Sequence, residues 1–125
     1  MDKPVLLIVD DIEDNRLGLQ DWLEDHYECM LAGDAEEAAE MLAGRVPHAI
    51  LLDLSLPGMT GWEFAKQLKQ DERYRDVPII AVSAYARRED IDRAMEAGCD
   101  DYLTKPFRMT RLFELLDRHI SRDGR

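Results

Sequence analysis

The chain has 125 residues, 46% of them apolar, and 16 basic against 27 acidic side chains give a formal net charge of −11. A chain of this length buries roughly two-thirds of its unfolded surface as one domain without staples, and this apolar fraction excludes a disordered chain. The acidic excess disfavours nucleic acid or an anionic membrane surface as a direct partner and suits cations or basic patches.

Met1-Asp2-Lys3-Pro4 leads straight into the apolar run Val5 to Val9, so no signal peptide is expected. That run is too short for a helix and too apolar for a half-exposed strand, and it reads as a buried parallel strand ended by Asp10-Asp11. From Asp14 to Asp25, Leu17, Leu19, Trp22 and Leu23 fall mostly at helical spacings, and Tyr27 to Leu31 is a weaker strand. Asp34 with Glu37 three residues on is a capping box for a helix whose stripe is Ala35, Ala38, Ala39 and Leu42, closed by Gly44. His48 to Leu52 is the next strand and delivers Asp53 at its end. Pro57 to Gly61 is loop, and Thr60 is placed to cap a helix carrying Trp62, Phe64, Ala65 and Leu68. Val77 to Val82 reads as another buried strand, ended by Ser83. A helix from Arg87 to Ala97 presents Ile91, Ala94 and Met95 and closes at Gly98. Asp101 to Thr104 is the last strand, stopped by Lys105-Pro106, and Leu112, Phe113, Leu115, Leu116 and Ile120 mark the last helix.

Strand and helix alternate five times with short connections. This predicts an α/β doubly wound fold, a five-stranded parallel sheet covered by five helices. The pattern alone does not fix the strand order. Cys29 and Cys99 form no CxxC and read as small buried residues in a reducing compartment. No apolar stretch approaches the roughly 18 residues of a membrane span, so a cytoplasmic protein without membrane insertion is expected.

In a parallel sheet all strand carboxyl ends lie on one edge, where open α/β sheets bind ligands. Asp10, Asp11, Asp53, Ser83 and Lys105 therefore converge there. Clustered carboxylates repel, and a hard divalent cation resolves the conflict. Mg²⁺ on carboxylates, an ammonium and a hydroxyl together suit an incoming phosphoryl group, with one carboxylate as acceptor. Taken singly, Asp10 or Asp11 reads as a helix cap, Ser83 as a strand-end hydroxyl, Tyr102 as half-buried packing and Lys105 as solvent-facing. Their joint placement outweighs these readings. Competing motifs fail. Asp11, Glu13 and Asn15 begin like an EF-hand loop, but Arg16 stands where glycine is required and Trp22 where the closing glutamate belongs. His26, His48 and His119 share no ligand spacing.

Val9-Asp10-Asp11, Leu51-Leu52-Asp53-Leu54, Leu56-Pro57-Gly58-Met59-Thr60-Gly61, Val82-Ser83-Ala84 and Ala97 to Phe107 together resemble the receiver domain of two-component response regulators, over a core from about Pro4 to Ile120. The resemblance implies one domain over residues 1–125 with flavodoxin-like strand order 2-1-3-4-5, the order of a chemotaxis regulator of this family. It implies that Asp53 accepts phosphate from a sensor histidine kinase or a histidine phosphotransfer protein. Asp10, Asp11, Asp53 and the Ser55 backbone carbonyl would hold Mg²⁺, or Mn²⁺ in its place. Lys105 would pair with Asp53 and then with the phosphoryl group. Ser83 and Tyr102 would form the switch, and the Lys105–Pro106 bond would be cis. Ser55 and Tyr85, each two residues past a site residue, would line the path of attacking water, with Tyr85 slowing dephosphorylation by its bulk.

The resemblance places a downstream protein target on the last two helices and the strand between them, where Arg87, Arg88, Tyr102, Arg108 and Arg111 would supply basic character. It also allows a phosphorylation-dependent dimer. No DNA-binding or enzymatic segment follows Ile120, so the expectation is a stand-alone receiver or a piece of a larger regulator. A phosphatase would need a second acidic group at position 55, which is Ser. A receiver-like scaffold that is never phosphorylated would not need the complete acidic set with Lys105.

Overall fold

The computed structural model describes residues 3–120, and within them the elements are β1 (Val5–Val9), α1 (Glu13–Leu23), β2 (Glu28–Ala32), α2 (Ala35–Gly44), β3 (Ala49–Asp53), α3 (Gly61–Lys69), β4 (Ile79–Ser83), α4 (Arg88–Glu96), β5 (Asp101–Thr104) and α5 (Met109–His119). The strands form a single parallel sheet in the order β2-β1-β3-β4-β5. The tail Ser121 to Arg125 lies outside the described residues.

Successive strand side chains point to opposite faces, and this splits each apolar run between two cores. Leu7, Val9, Ile50, Leu52, Ile79 and Ala81 join Ala38, Leu42, Phe64, Leu68 and Ala94 under α2, α3 and α4. Leu6, Ile8, Ala49, Leu51, Ile80 and Val82 join Leu23, Leu112, Leu115 and Leu116 under α1 and α5. Central strands must be apolar on both faces because both are covered. Each fully buried leucine stabilises the fold by roughly 1.5–3 kcal/mol.

Helix starts follow local chemistry. Asp34 accepts from the Glu37 amide at 2.8 Å, but the Glu37 carboxylate accepts from the Gly33 amide at 2.7 Å, one residue before the cap. The reciprocal capping box is found instead on α3, between Thr60 and Glu63.

Several expectations shift. In α1, Leu19 and Leu23 turn to the sheet, while Leu17 and Trp22 fall off that row and are 44% and 62% exposed. Met95 is likewise exposed beside buried Ala94. Cys29 is half-buried because β2 is an edge strand, whereas Cys99 is buried. His48 precedes β3, and its Nδ1 accepts from the Val5 amide at 2.9 Å. β4 starts at Ile79 because Pro78 has no N–H for the ladder, though its carbonyl accepts from Ile50. No helix among the described residues is long and apolar enough to cross a membrane.

Asp101 opens β5 and fastens α5 to it, with Oδ2 3.0 Å from His119 Nε2 and 3.1 Å from Arg118 Nη1. Burial raises its pKa, but the hydrogen bonds from His119 and the Tyr102 amide, with the Arg118 charge, outweigh this and hold it below the ordinary carboxylate value. A depressed native pKa stabilises the fold above the ordinary carboxylate range and is lost as pH falls through the native value. Asp101→Asn is therefore expected to lower the melting temperature at neutral pH, with the difference shrinking at acid pH. Melts across pH 2–7 (from about two units below to about three above the ordinary carboxylate pKa) check this.

Candidate functional site

The alternation that divides the core also sorts the polar residues at the sheet edge. Asp53 follows Leu51, and Asp10 and Lys105 extend the rows of Ile8 and Leu103, so all three belong to the α1/α5 face. Ser83 follows Ala81, and Tyr102 packs under α3 and α4, so both belong to the other face. Backbone ladders hold the first set in place. The Asp10 amide donates to the Ala32 carbonyl at 3.0 Å and the Lys105 amide to the Ser83 carbonyl at 2.8 Å.

Lys105 Nζ lies 2.8 Å from Asp53 Oδ2 and 3.3 Å from Asp10 Oδ2. The other Asp53 oxygen accepts from the Ser55 amide at 2.8 Å, and Asp10 Oδ1 from the Ile12 amide at 2.9 Å. Asp10 and Asp53 are buried, 3% and 6% exposed, whereas Asp11 and Ser55 are exposed. Burial alone would lower the Lys105 pKa, but its hydrogen bond to Asp53 and the charges of Asp53 and Asp10 hold it above 10.5. The Lys105–Pro106 bond is cis, as expected. The residue that caps α1 is Ile12, with no side-chain cap, so neither Asp10 nor Asp11 is spent as a helix cap.

Oxygens of Asp10, Asp11 and Asp53 lie within 4.8 Å of one another. Three carboxylates facing one ammonium leave two negative charges uncompensated, and oxygen-only donors of this kind fit a hard divalent cation. The donor set thus suits Mg²⁺.

On the other face, Ser83 is fully buried and its Oγ accepts from the Tyr85 amide at 3.0 Å. The Tyr102 hydroxyl donates to the Tyr85 carbonyl at 2.6 Å, and burial raises the phenol pKa. The Tyr85 ring, 46% exposed, stacks on Trp62. Arg87, Arg88 and Arg111 face acidic neighbours, Glu89, Asp92 and Glu114, so the basic character expected of this side is largely offset within its own helices.

Three contributors escaped the sequence reading. Asn15 Nδ2 donates to Asp10 Oδ2 at 3.3 Å, and Arg16 Nη1 to the Asp10 carbonyl at 2.7 Å. Their signal was their position one turn past the acidic pair. Gly61 opens α3 directly against the Asp53 and Leu54 backbone. A glycine straight after a threonine cap was the available clue.

A parallel 2-1-3-4-5 sheet with acidic residues, a lysine and a serine at its carboxyl edge defines a receiver-type signalling domain. The family model for the response regulator receiver domain matches residues 6–117, and the chain belongs to that family. It is 40% identical over 98 residues to the phosphate regulon transcriptional regulatory protein PhoB of Pseudomonas aeruginosa, covering 78% of this chain but only 43% of PhoB. Over 116 residues it is 34% identical to the polar-differentiation response regulator DivK of Brucella ovis, covering 92% of this chain and 94% of DivK. The receiver domain of sensor histidine kinase PA1611 from Pseudomonas aeruginosa, solved with a magnesium ion coordinated in the active site cleft, superimposes with a TM-score of 0.86 at 31% identity, covering 94% of this chain and 97% of that one.

Proposed function

We propose that the chain is a phosphorylation-switched signalling module in which Asp53 takes a phosphoryl group from a phosphohistidine of a sensor kinase or phosphotransfer protein. The observation that supports this most is the pairing of buried Asp53 with Lys105 beside Asp10 and Asp11. An aspartate oxygen bonds to phosphorus while the P–N bond to the donor imidazole breaks and its electron pair stays on nitrogen. The Ser55 amide and Lys105 hold the carboxylate in one orientation, which is most of what phosphoryl transfer asks of a protein. Lys105 follows the charge onto the phosphoryl oxygens, and the Ser83 hydroxyl donates to one of them. Asp10, Asp11, Asp53 and the Ser55 carbonyl are the residues to hold Mg²⁺, which supplies charge neutralisation at the phosphoryl oxygens when bound. The reading limits catalysis to the chain's own phosphorylation and dephosphorylation, in the cytoplasm.

Output follows if phosphorylation favours one arrangement of Ser83 and Tyr102 and a partner binds that arrangement better on the face formed by α4, β5 and α5. Incubation with acetyl phosphate and Mg²⁺, read by intact mass, is expected to add one phosphoryl group. Chelation or Asp53→Asn is expected to abolish it. No adduct from any donor, a cognate kinase included, would favour an unphosphorylated scaffold. Steady phosphate release from unrelated monoesters would favour an enzyme.

A further inference from the structure

Tyr85 is held at three points by three different elements. Its amide donates to Ser83 Oγ at 3.0 Å at the end of β4. Its carbonyl accepts from the Tyr102 hydroxyl at 2.6 Å, from β5. Its ring stacks on Trp62 of α3, with centroids 5.7 Å apart and planes inclined at 20°. The indole is also covered from α4 by Arg93, whose guanidinium carbon sits 4.2 Å from the ring centroid. The Trp62 Nε1 is buried and has no hydrogen-bond partner among the described residues.

These contacts bear on one another. A serine hydroxyl has one hydrogen to donate and lone pairs to accept with. Once Ser83 donates to a new oxygen at Asp53, its Oγ is drawn toward that oxygen, and the Tyr85 amide that donates to Oγ must follow it or lose the bond. Tyr85 is the residue on which Tyr102 and Trp62 also close, so a shift of its backbone reaches both. The indole is poised to respond, because a buried unpaired N–H is costly and any movement that opens it to water relieves that cost.

We propose that the Tyr85–Trp62–Arg93 stack is a third arm of the switch, through which a change at Asp53 reaches the seam between α3 and α4 as unstacking of Trp62. This rests on Asp53 as phosphoacceptor and adds a second outlet, separate from the face of α4, β5 and α5. Trp62 and Arg93 are positioning residues, acting through Tyr85. Coupling of this kind is reciprocal, so the stack also biases the acceptor site.

The chain has two tryptophans, and exposed Trp22 can be replaced by phenylalanine to leave Trp62 as the sole indole emitter. In the Trp22→Phe protein, phosphorylation followed in parallel by intact mass is expected to shift Trp62 emission to longer wavelength. Adding Tyr102→Phe, without any phosphodonor, is expected to give a red shift too, because it frees the Tyr85 carbonyl. Ser83→Ala probes the same joint from the amide side and replaces Tyr102→Phe if that variant fails to fold by circular dichroism. Full phosphoryl uptake with unchanged emission overturns the proposal. So does a folded Tyr102→Phe or Ser83→Ala protein with unchanged emission, whether or not Asp53 takes phosphate. Failure of uptake alone counts against the reading of Asp53, and the donor-free variants then decide on the stack.

Discussion

Gly61→Ala is expected to destabilise the protein by about 2 kcal/mol and to slow phosphoryl uptake about 10- to 100-fold. A Cβ at this position would lie 2.5 Å from the Asp53 carbonyl oxygen and 2.6 Å from Leu54 Cα. Both are backbone atoms, so no flexible side chain can yield. The amide of Gly61 also donates to the Leu54 carbonyl at 3.1 Å, which ties the start of α3 to the end of β3. Relief requires α3 to lift away or β3 to bend, and either moves the acceptor carboxylate. Alanine's better helix propensity returns at most about 1 kcal/mol, too little to reverse the sign. Gly18 in α1 provides the contrast, since a Cβ there meets nothing within 4 Å. Gly18→Ala is expected to stabilise by about 0.5–1 kcal/mol. Urea melts and adduct formation measured on both variants separate crowding at the site from a general effect of glycine replacement.

Lys105→Met is expected to cost about 2–3 kcal/mol in the absence of divalent cation and to abolish measurable phosphoryl uptake. It leaves Asp10 and Asp53, whose side chains are 5% and 7% exposed, facing Asp11 with no ion-pair partner among the described residues. The figure is set below that of a fully buried pair because the Lys105 side chain is 27% exposed and partly screened. Asp53→Asn should act in the opposite direction on stability. It removes one of three clustered carboxylates, so the melting temperature without divalent cation is expected to rise. Mg²⁺ should stabilise the Lys105→Met protein measurably, because a ligand that binds only the native state adds stability by mass action. Melts with and without Mg²⁺ on the three proteins check the signs together. Equal stability of Lys105→Met and the parent without divalent cation would mean that the carboxylates are not in electrostatic conflict.

The sheet was readable from the sequence because strands buried on both faces must be unbroken apolar runs, and a polar residue marks where each meets the edge. Asp53 after Ala49 to Leu52 is the clearest case. The strand order came with the family resemblance, since an apolar run carries no record of its neighbour. The inward face of helix α1 was not legible, because Leu17 and Trp22 are apolar without facing the core, and periodicity alone cannot tell an exposed leucine from a buried one. The Gly61 contact and the Tyr85–Trp62–Arg93 stack were invisible for a different reason. They arise where loops return to the sheet and bring together residues from separate elements. The split of the edge into a carboxylate–lysine face and a serine–tyrosine face was present in the alternation of each strand. It became evident only once the two cores were assigned to their helices.

The central claim is that Asp53, and no neighbouring carboxylate, accepts the phosphoryl group. Borohydride reduces an acyl phosphate to an alcohol and leaves a free carboxylate untouched. The protein is phosphorylated with acetyl phosphate and Mg²⁺, reduced, digested and mapped by peptide mass. Homoserine at position 53, with Asp10 and Asp11 unmodified, is the expected result. Reduction at Asp10, Asp11 or any other carboxylate instead of Asp53, or none when intact mass shows an adduct, would contradict it.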